Sequence, residues 1–127
     1  MKLKFDHTVL FCCTLLLVPA STLASELPAE LSGRWTWVER SLSQTFKLED
    51  IKPKGDDAFV AELTWWTIKS ECAIRGESVE GSFKDGVLAF SAETKCGTRF
   101  DASMKKQGDG WIGSAIAGKV TVEMKAD

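Results

Sequence analysis

Apolar and polar residues alternate over most of this chain, and that pattern constrains its fold more than any other feature. From Gly33 onward no stretch keeps a helical spacing of apolar positions, whereas period-two alternation recurs between short turn signals. The opening segment Leu31–Trp37 places Trp35 and Trp37 on one face of an extended strand. Asp85-Gly86 is a clear hairpin signal, because Asp-Gly suits the positive φ angles of a tight turn. The sequence therefore predicts an all-β domain.

The segments between turns predict eight strands, which follow one another through short connections. They span about Gly33–Glu39, Gln44–Lys52, Ala58–Ile68, Ala73–Lys84, Val87–Lys95, Arg99–Lys106, Trp111–Ala117 and Lys119–Lys125. Consecutive hairpins must direct their apolar residues to the same face, since a slip of one residue inverts every side chain. The predicted pairs that meet this condition include Phe83 with Leu88, Trp37 with Phe46, Phe46 with Leu63, and Ala115 with Val120.

The fourth predicted strand breaks the alternation, and the sheet as a whole is expected to close into a barrel. Cys72 and Ile74 have the wrong parity relative to Phe83, so we expect a bulge near Arg75-Gly76. Small inner residues such as Gly113 and Ala115 alternate with large ones, which is typical of a small closed barrel. An open meander would leave two exposed edges. The predicted fold is thus an eight-stranded antiparallel up-and-down β-barrel.

The first 24 residues have the pattern of a secretory signal peptide. A basic start with Lys2 and Lys4 precedes the apolar run Val9–Val18, and Thr22–Ala24 forms a small-residue cleavage site. A retained membrane anchor is disfavoured by that cleavage site and by the shortness of the run. We expect a signal peptide over 1–24, a short spacer over 25–32 and one barrel domain over 33–127, periplasmic or secreted and without a membrane partner after cleavage.

Two cysteines remain after cleavage, and they predict a disulfide between Cys72 and Cys96. The loop so closed is worth roughly 3.5 kcal/mol by chain entropy. A metal or redox site lacks a Cys-x-x-Cys pair and a histidine, since the single histidine, His7, lies in the leader. Without an imidazole or a tyrosine, nucleophilic triads are excluded. A glycosidase-like carboxylate pair is disfavoured because the candidate carboxylates have outward parity.

Charge gives no indication of a nucleic-acid partner, because acidic and basic residues are interspersed and the formal net charge is −2. The aromatic residues are the remaining candidates for function. We assign candidate ligand-binding roles to Trp35, Trp37, Phe46, Trp65 and Trp111.

Two interpretations of these aromatic residues stay open. They fill the barrel, which is the favoured interpretation, or those near its mouth line an apolar pocket. A mouth cavity below roughly 300 Å³ would argue against a drug-sized ligand. Trp66, Ile112 and Ile116 have outward parity, which indicates a partner surface, a homodimer interface or cover by loops.

Gly33-Arg34-Trp35 at the start of such a barrel resembles the calycin superfamily, which includes lipocalins and avidins. Gly81–Phe83, Leu88–Ser91 and Gly110–Gly113 are similar to avidin strands, and the cysteine pair resembles the disulfide of dimeric avidins. The biotin-site residues are not matched: Trp37 stands where avidins have an asparagine, and the chain has no tyrosine. The resemblance implies an avidin-like or lipocalin-like barrel without the avidin site.

A second resemblance is to small periplasmic inhibitors of secreted metalloproteases, carried by Pro28–Trp35. It implies a barrel whose N-terminal segment, Ser25–Ser32 here, plugs a proteinase. We therefore expect an exported, non-enzymatic protein without a cofactor that binds a small apolar ligand or a protein partner. Proteinase inhibition through the N-terminal segment is the alternative.

Overall fold

The structure, a computed structural model, describes residues 27–127. The expected signal peptide and the first two residues of the spacer lie outside the described residues. Eight strands follow in order: β1 (Leu31–Trp37), β2 (Leu42–Pro53), β3 (Ala58–Trp65), β4 (Ile74–Lys84), β5 (Val87–Glu93), β6 (Arg99–Gln107), β7 (Gly110–Ala117) and β8 (Val120–Ala126). Short 3₁₀ turns lie at Val38–Arg40 and Ser70–Cys72.

Each strand pairs antiparallel with the next, and β8 pairs with β1, so the sheet is a closed barrel. Closure is made by Gly33–Thr36 of β1 against Glu123–Ala126 of β8. The predicted fold class is therefore confirmed. The predicted pair Phe83 with Leu88 is also present.

Three of the predicted registers are wrong, each by an even number of residues. Trp37 pairs with Leu42 rather than Phe46, because the chain reverses at once through the 3₁₀ turn and a left-handed Ser41. Phe46 pairs with Trp65 rather than Leu63, and Ala115 pairs with Val122 rather than Val120. An even shift leaves every side chain on its predicted face, so the inner lining is unchanged.

Two bulges correct the parity along the barrel. Between the pairs of Ile74 with Trp65 and of Glu77 with Leu63, two residues of β4, Arg75 and Gly76, oppose the single Thr64 of β3. Gly76 lies in this bulge, as predicted, and has φ +63°. A second bulge in β2, which the sequence analysis missed, places Asp50 at φ 51°. It turns Ile51 inward, where it is 6% exposed. Polar Asp tolerates the left-handed conformation better than most residues.

The two ends of the barrel differ. We call the end that holds the connections 38–41, 66–73, 94–98 and 118–119 the mouth end, and the opposite end the base end. Phe59 and Leu88 have no exposed surface near the base end. Leu27 packs against the core there, and the Ala29 carbonyl accepts a 3.0 Å hydrogen bond from the Ile51 amide. The base end is therefore sealed by side chains and by the N-terminal segment.

Candidate functional site

A cavity of about 260 Å³ opens at the mouth end of the barrel. Its lining is almost entirely apolar. Each of the four hairpins whose connection lies at the mouth end contributes at least one lining residue. Three of the five candidate residues line it: Trp35, Trp37 and Trp65. The volume lies just under the roughly 300 Å³ at which pockets for drug-sized ligands begin. By the criterion set from the sequence, the cavity suits only a small ligand.

Stacked aromatic rings form the floor of the cavity. The rings of Trp35 and Trp65 lie parallel, with centroids 5.8 Å apart and an interplanar angle of 4°. Phe100 packs on Trp65 with centroids 4.4 Å apart. The indole N–H of Trp35 donates a 2.8 Å hydrogen bond to the Trp66 carbonyl, which satisfies its one polar group. This floor is therefore fixed in position before any ligand arrives.

The predicted disulfide between Cys72 and Cys96 is present and forms part of the cavity wall. Cys72 ends the turn that precedes β4, and Cys96 lies in the loop that follows β5. The Cα atoms are 5.0 Å apart, and the Lys95 amide donates a 3.0 Å hydrogen bond to the Cys72 carbonyl. The disulfide thus ties two connections of the mouth end to each other, which limits how far the mouth can open.

Polar side chains reach the cavity only at its rim. Thr67, Thr94, Thr98 and Lys69 are the polar lining residues, and Lys69 is the single charged one. The Thr94 hydroxyl accepts a 3.1 Å hydrogen bond from the Thr98 amide, so it is occupied within its own turn. The rim therefore offers a ligand one cation above an apolar floor.

The fringe of the mouth exposes apolar surface. Val38 and Ile68 are 56% and 51% exposed, and both lie in connections of the mouth end. Trp37 is half-buried, and the guanidinium carbon of Arg40 lies 5.1 Å from the centroid of its ring. A cation over the indole face holds that ring in place on the cavity wall.

The other two candidate residues, Phe46 and Trp111, do not reach the cavity. Phe46 is 1% exposed and packs beneath Trp65, with ring centroids 5.6 Å apart. Trp111 is the second residue of β7, at the base end, and its ring packs against that of Phe83 with centroids 6.3 Å apart. Both belong to the core, in agreement with the interpretation that aromatic residues fill the barrel. The cavity uses only those near the mouth.

The outward residues also divide. Ile116 on β7 is 50% exposed, whereas Ile112 on the same strand is half-buried. Trp66 lies beneath the guanidinium of Arg75, whose carbon is 4.8 Å from the ring centroid. The Arg75 side chain therefore covers part of the outward face of Trp66.

Sequence reasoning missed several lining residues, among them Lys69, Ala117 and Val120. The predicted pairing with Ala115 already assigned Val120 to the inner face, whereas Ala117 was predicted as a turn residue. The missing information was which end of the barrel stays open, and that depends on how the connections fold over each end. Lys69 carried no signal, because a lysine in a connection between strands is usually only solvated.

The carboxyl group whose pKa is shifted lies away from the cavity. The carboxyl of Glu62 faces outward on β3, where a hydrogen bond and charge repulsion from Asp50, slight burial and the nearby Glu49 raise its pKa. Within residues 27–127, no cluster of three or more histidine, cysteine or acidic residues is arranged to hold a metal ion. Over the same residues, no helix is long and apolar enough to cross a bilayer. The cavity itself offers apolar contact and, from Lys69, one positive charge.

Comparisons of this chain with protein-family models, with curated proteins and with solved structures find no match.

Proposed function

We propose that this protein is an exported, non-enzymatic binding protein of calycin type that holds a small apolar ligand in the mouth of its barrel. The observation that supports the proposal is the cavity of about 260 Å³ with its stacked floor of Trp35, Trp65 and Phe100. Concave apolar sites with a few polar groups at the edge are the usual form of small-molecule sites. The calycin assignment rests on Gly33-Arg34-Trp35 opening a closed eight-stranded up-and-down barrel.

The size of the cavity limits the ligand. An apolar cavity of about 150 Å³ accommodates benzene, and drug-sized ligands begin at roughly 300 Å³. At about 260 Å³, this cavity fits one or two fused rings or an aliphatic group of similar volume. About ten ligand atoms that each contribute roughly 0.5–0.7 kcal/mol correspond to dissociation constants on the order of 10–200 μM.

The position of Trp37 bears on the avidin resemblance. Avidins have an asparagine where this chain has Trp37, and here the indole forms part of the cavity wall. An apolar wall at this position suits a hydrocarbon ring better than a polar ureido group, because an unpaired polar group buried there would lose its hydrogen bonds. We therefore propose an apolar ligand and not biotin.

Proteinase inhibition through Ser25–Ser32 is the second candidate, and the packing of the described part of that segment disfavours it. Leu27 packs against the core, and the Ala29 carbonyl is held by the Ile51 amide. A segment that enters a proteinase cleft would have to give up both contacts. The cavity at the opposite end needs no such rearrangement.

The test uses the indole N–H resonances in two-dimensional ¹H–¹⁵N NMR, with 2-naphthylmethanol as a neutral two-ring probe. Trp35, Trp37 and Trp65 line the cavity and are expected to shift on titration, whereas Trp111 at the base end stays fixed as an internal control. Equal shifts at all four resonances, or none at any, would refute the proposed site.

A pair of variants sharpens the test. Val120 lines the cavity and Thr121, the next residue, faces solvent on the outside of β8. Val120→Phe fills the cavity and is expected to weaken probe binding at least about tenfold, which is roughly 1.4 kcal/mol. Thr121→Phe adds the same ring outside and is expected to leave binding unchanged. Equal affinities in the two variants would contradict the assignment.

A further inference from the structure

The charges of the connections divide between the two ends of the barrel. The mouth-end connections carry two acidic residues, Glu39 and Glu71, against four basic ones: Arg40, Lys69, Lys95 and Lys119. In the base-end turns, and in the residues that flank β1 and β8 there, Lys54 is the one cation among six acidic residues: Glu30, Asp56, Asp57, Asp85, Asp109 and Asp127. The adjoining strand ends also carry lysines: Lys52, Lys84, Lys106 and Lys125. The connections around the cavity therefore carry more basic than acidic residues. This local excess of positive charge attracts anions toward the mouth.

Lys69 is the mouth-end cation best placed to meet a ligand. It is the charged residue of the cavity lining, and its carbonyl accepts a 3.0 Å hydrogen bond from the Cys72 amide. That bond fixes the backbone of Lys69 beside the cavity. Of the other three cations, Lys95 pairs with Glu77, Arg40 lies over Trp37, and Lys119 is not a lining residue of the cavity. Among residues 27–127, no carboxylate forms an ion pair with Lys69.

We propose that the ligand of this barrel is a small monoanion, a ring-bearing carboxylate whose ring lies on the aromatic floor and whose carboxylate meets the Lys69 ammonium at the rim. This inference rests on the proposed function of the cavity. The carboxylate stays at the exposed edge, so it keeps most of its hydration and avoids the cost of burying a charge. A ring with a cationic substituent would place like charges together at the rim.

The expected selectivity is modest, because Lys69 is exposed to solvent. Exposed ion pairs contribute about 0.2–1 kcal/mol, and contributions of about 0.4–1 kcal/mol correspond to about a twofold to fivefold change in affinity. At high salt the screening length falls from about 8 Å to about 3 Å, so the preference should shrink while binding of a neutral ring persists.

The experiment compares three probes that share one ring system: 2-naphthoate, 2-naphthylmethanol and 2-naphthylmethylamine, titrated at neutral pH by the same indole NMR signals. We expect naphthoate to bind about twofold to fivefold more tightly than the alcohol and the amine to bind most weakly. Lys69→Met keeps the apolar stem and is expected to remove the preference between naphthoate and the alcohol. Lys84→Met removes the same charge from the end of β4 beside the base-end turn and is expected to preserve it.

Each outcome decides one of the two proposals. If the alcohol binds at the mouth but naphthoate binds no more tightly, the anion inference is overturned and the apolar site stands. A preference that survives in Lys69→Met, or disappears equally in Lys84→Met, also overturns it. If none of the three probes shifts the indoles of Trp35, Trp37 and Trp65, the proposed binding function fails together with the inference.

Discussion

Gly113 lies where β7 passes closest to its neighbours, and replacing it with alanine should be far more costly than a glycine-to-alanine change usually is. The residue pairs with Met104 of β6 on one side and Met124 of β8 on the other. A Cβ atom at this position would lie 1.8 Å from the Ser103 carbonyl oxygen and 2.7 Å from the Met104 Cα. Both are backbone atoms, so no side-chain rotation relieves the overlap.

The loss in the free energy of unfolding can be estimated from the backbone shift that the added methyl group requires. Overpacking a well-packed interior costs typically about 1–3 kcal/mol, and here β6 must also separate from β7, which weakens ladder hydrogen bonds worth about 1 kcal/mol each. We expect Gly113→Ala to lower the free energy of unfolding by about 3–5 kcal/mol, out of a total near 5–15 kcal/mol for a domain of this size. In urea, with a slope of about 1–2 kcal/mol/M, the midpoint should fall by at least about 1.5 M.

Gly108, in the turn of the same hairpin, supplies the matched control. It has φ +63°, and a Cβ added there would meet nothing within 4 Å. Gly108→Ala therefore adds only backbone strain, about 1–2 kcal/mol. Equilibrium urea unfolding followed by tryptophan fluorescence and circular dichroism measures both variants. If Gly113→Ala costs no more than Gly108→Ala, the close approach of β6 and β7 does not limit the barrel, and the reasoning is refuted.

Two further predictions concern the disulfide and a carboxylate pair. Replacing both Cys72 and Cys96 with alanine removes a cross-link between residues 24 positions apart. We expect the free energy of unfolding, measured in urea, to fall by about 3.5 kcal/mol. A fall of less than about 1 kcal/mol would contradict the entropic explanation. Because Asp50 raises the pKa of Glu62 in the folded protein, the native state binds that proton more tightly than the unfolded chain, and stability falls as pH rises through the raised pKa. Glu62→Gln should therefore raise the Tm at neutral pH and lose this advantage well below pH 4.5, the ordinary pKa of glutamate. Glu80→Gln removes a carboxylate that is paired with Lys54, so it should not raise the Tm.

Much of the barrel could be predicted because side-chain alternation is a local property. The alternation predicts each strand and the inner face that it shares with the next strand. Phe83 and Leu88, for example, pair as expected. The bulge at Gly76 was predictable too, since parity fails there and glycine suits positive φ. The bulge at Asp50 carried no comparable signal, because Ile51 read equally well as an outward residue of an unbroken strand.

The candidate site could be predicted only in part. Trp35, Trp37 and Trp65 were named from their inner parity, but Phe46 and Trp111 have the same parity and lie in the core. Position along the barrel axis separates the two groups. The connection lengths and the registers set that position, and three of the registers were displaced by two or four residues.

The sequence by itself determined the fold class, the shared inner face and the cysteine pair. Period-two alternation, turn residues and the number of cysteines can all be read directly from the chain, without knowledge of its tertiary contacts. Only the tertiary structure decided which end of the barrel is open and where its charges lie. The acidic and basic residues are interspersed along the chain, but an up-and-down barrel sends alternate connections to opposite ends. The turns rich in aspartate therefore gather at the base, and Lys69 comes to lie above the cavity.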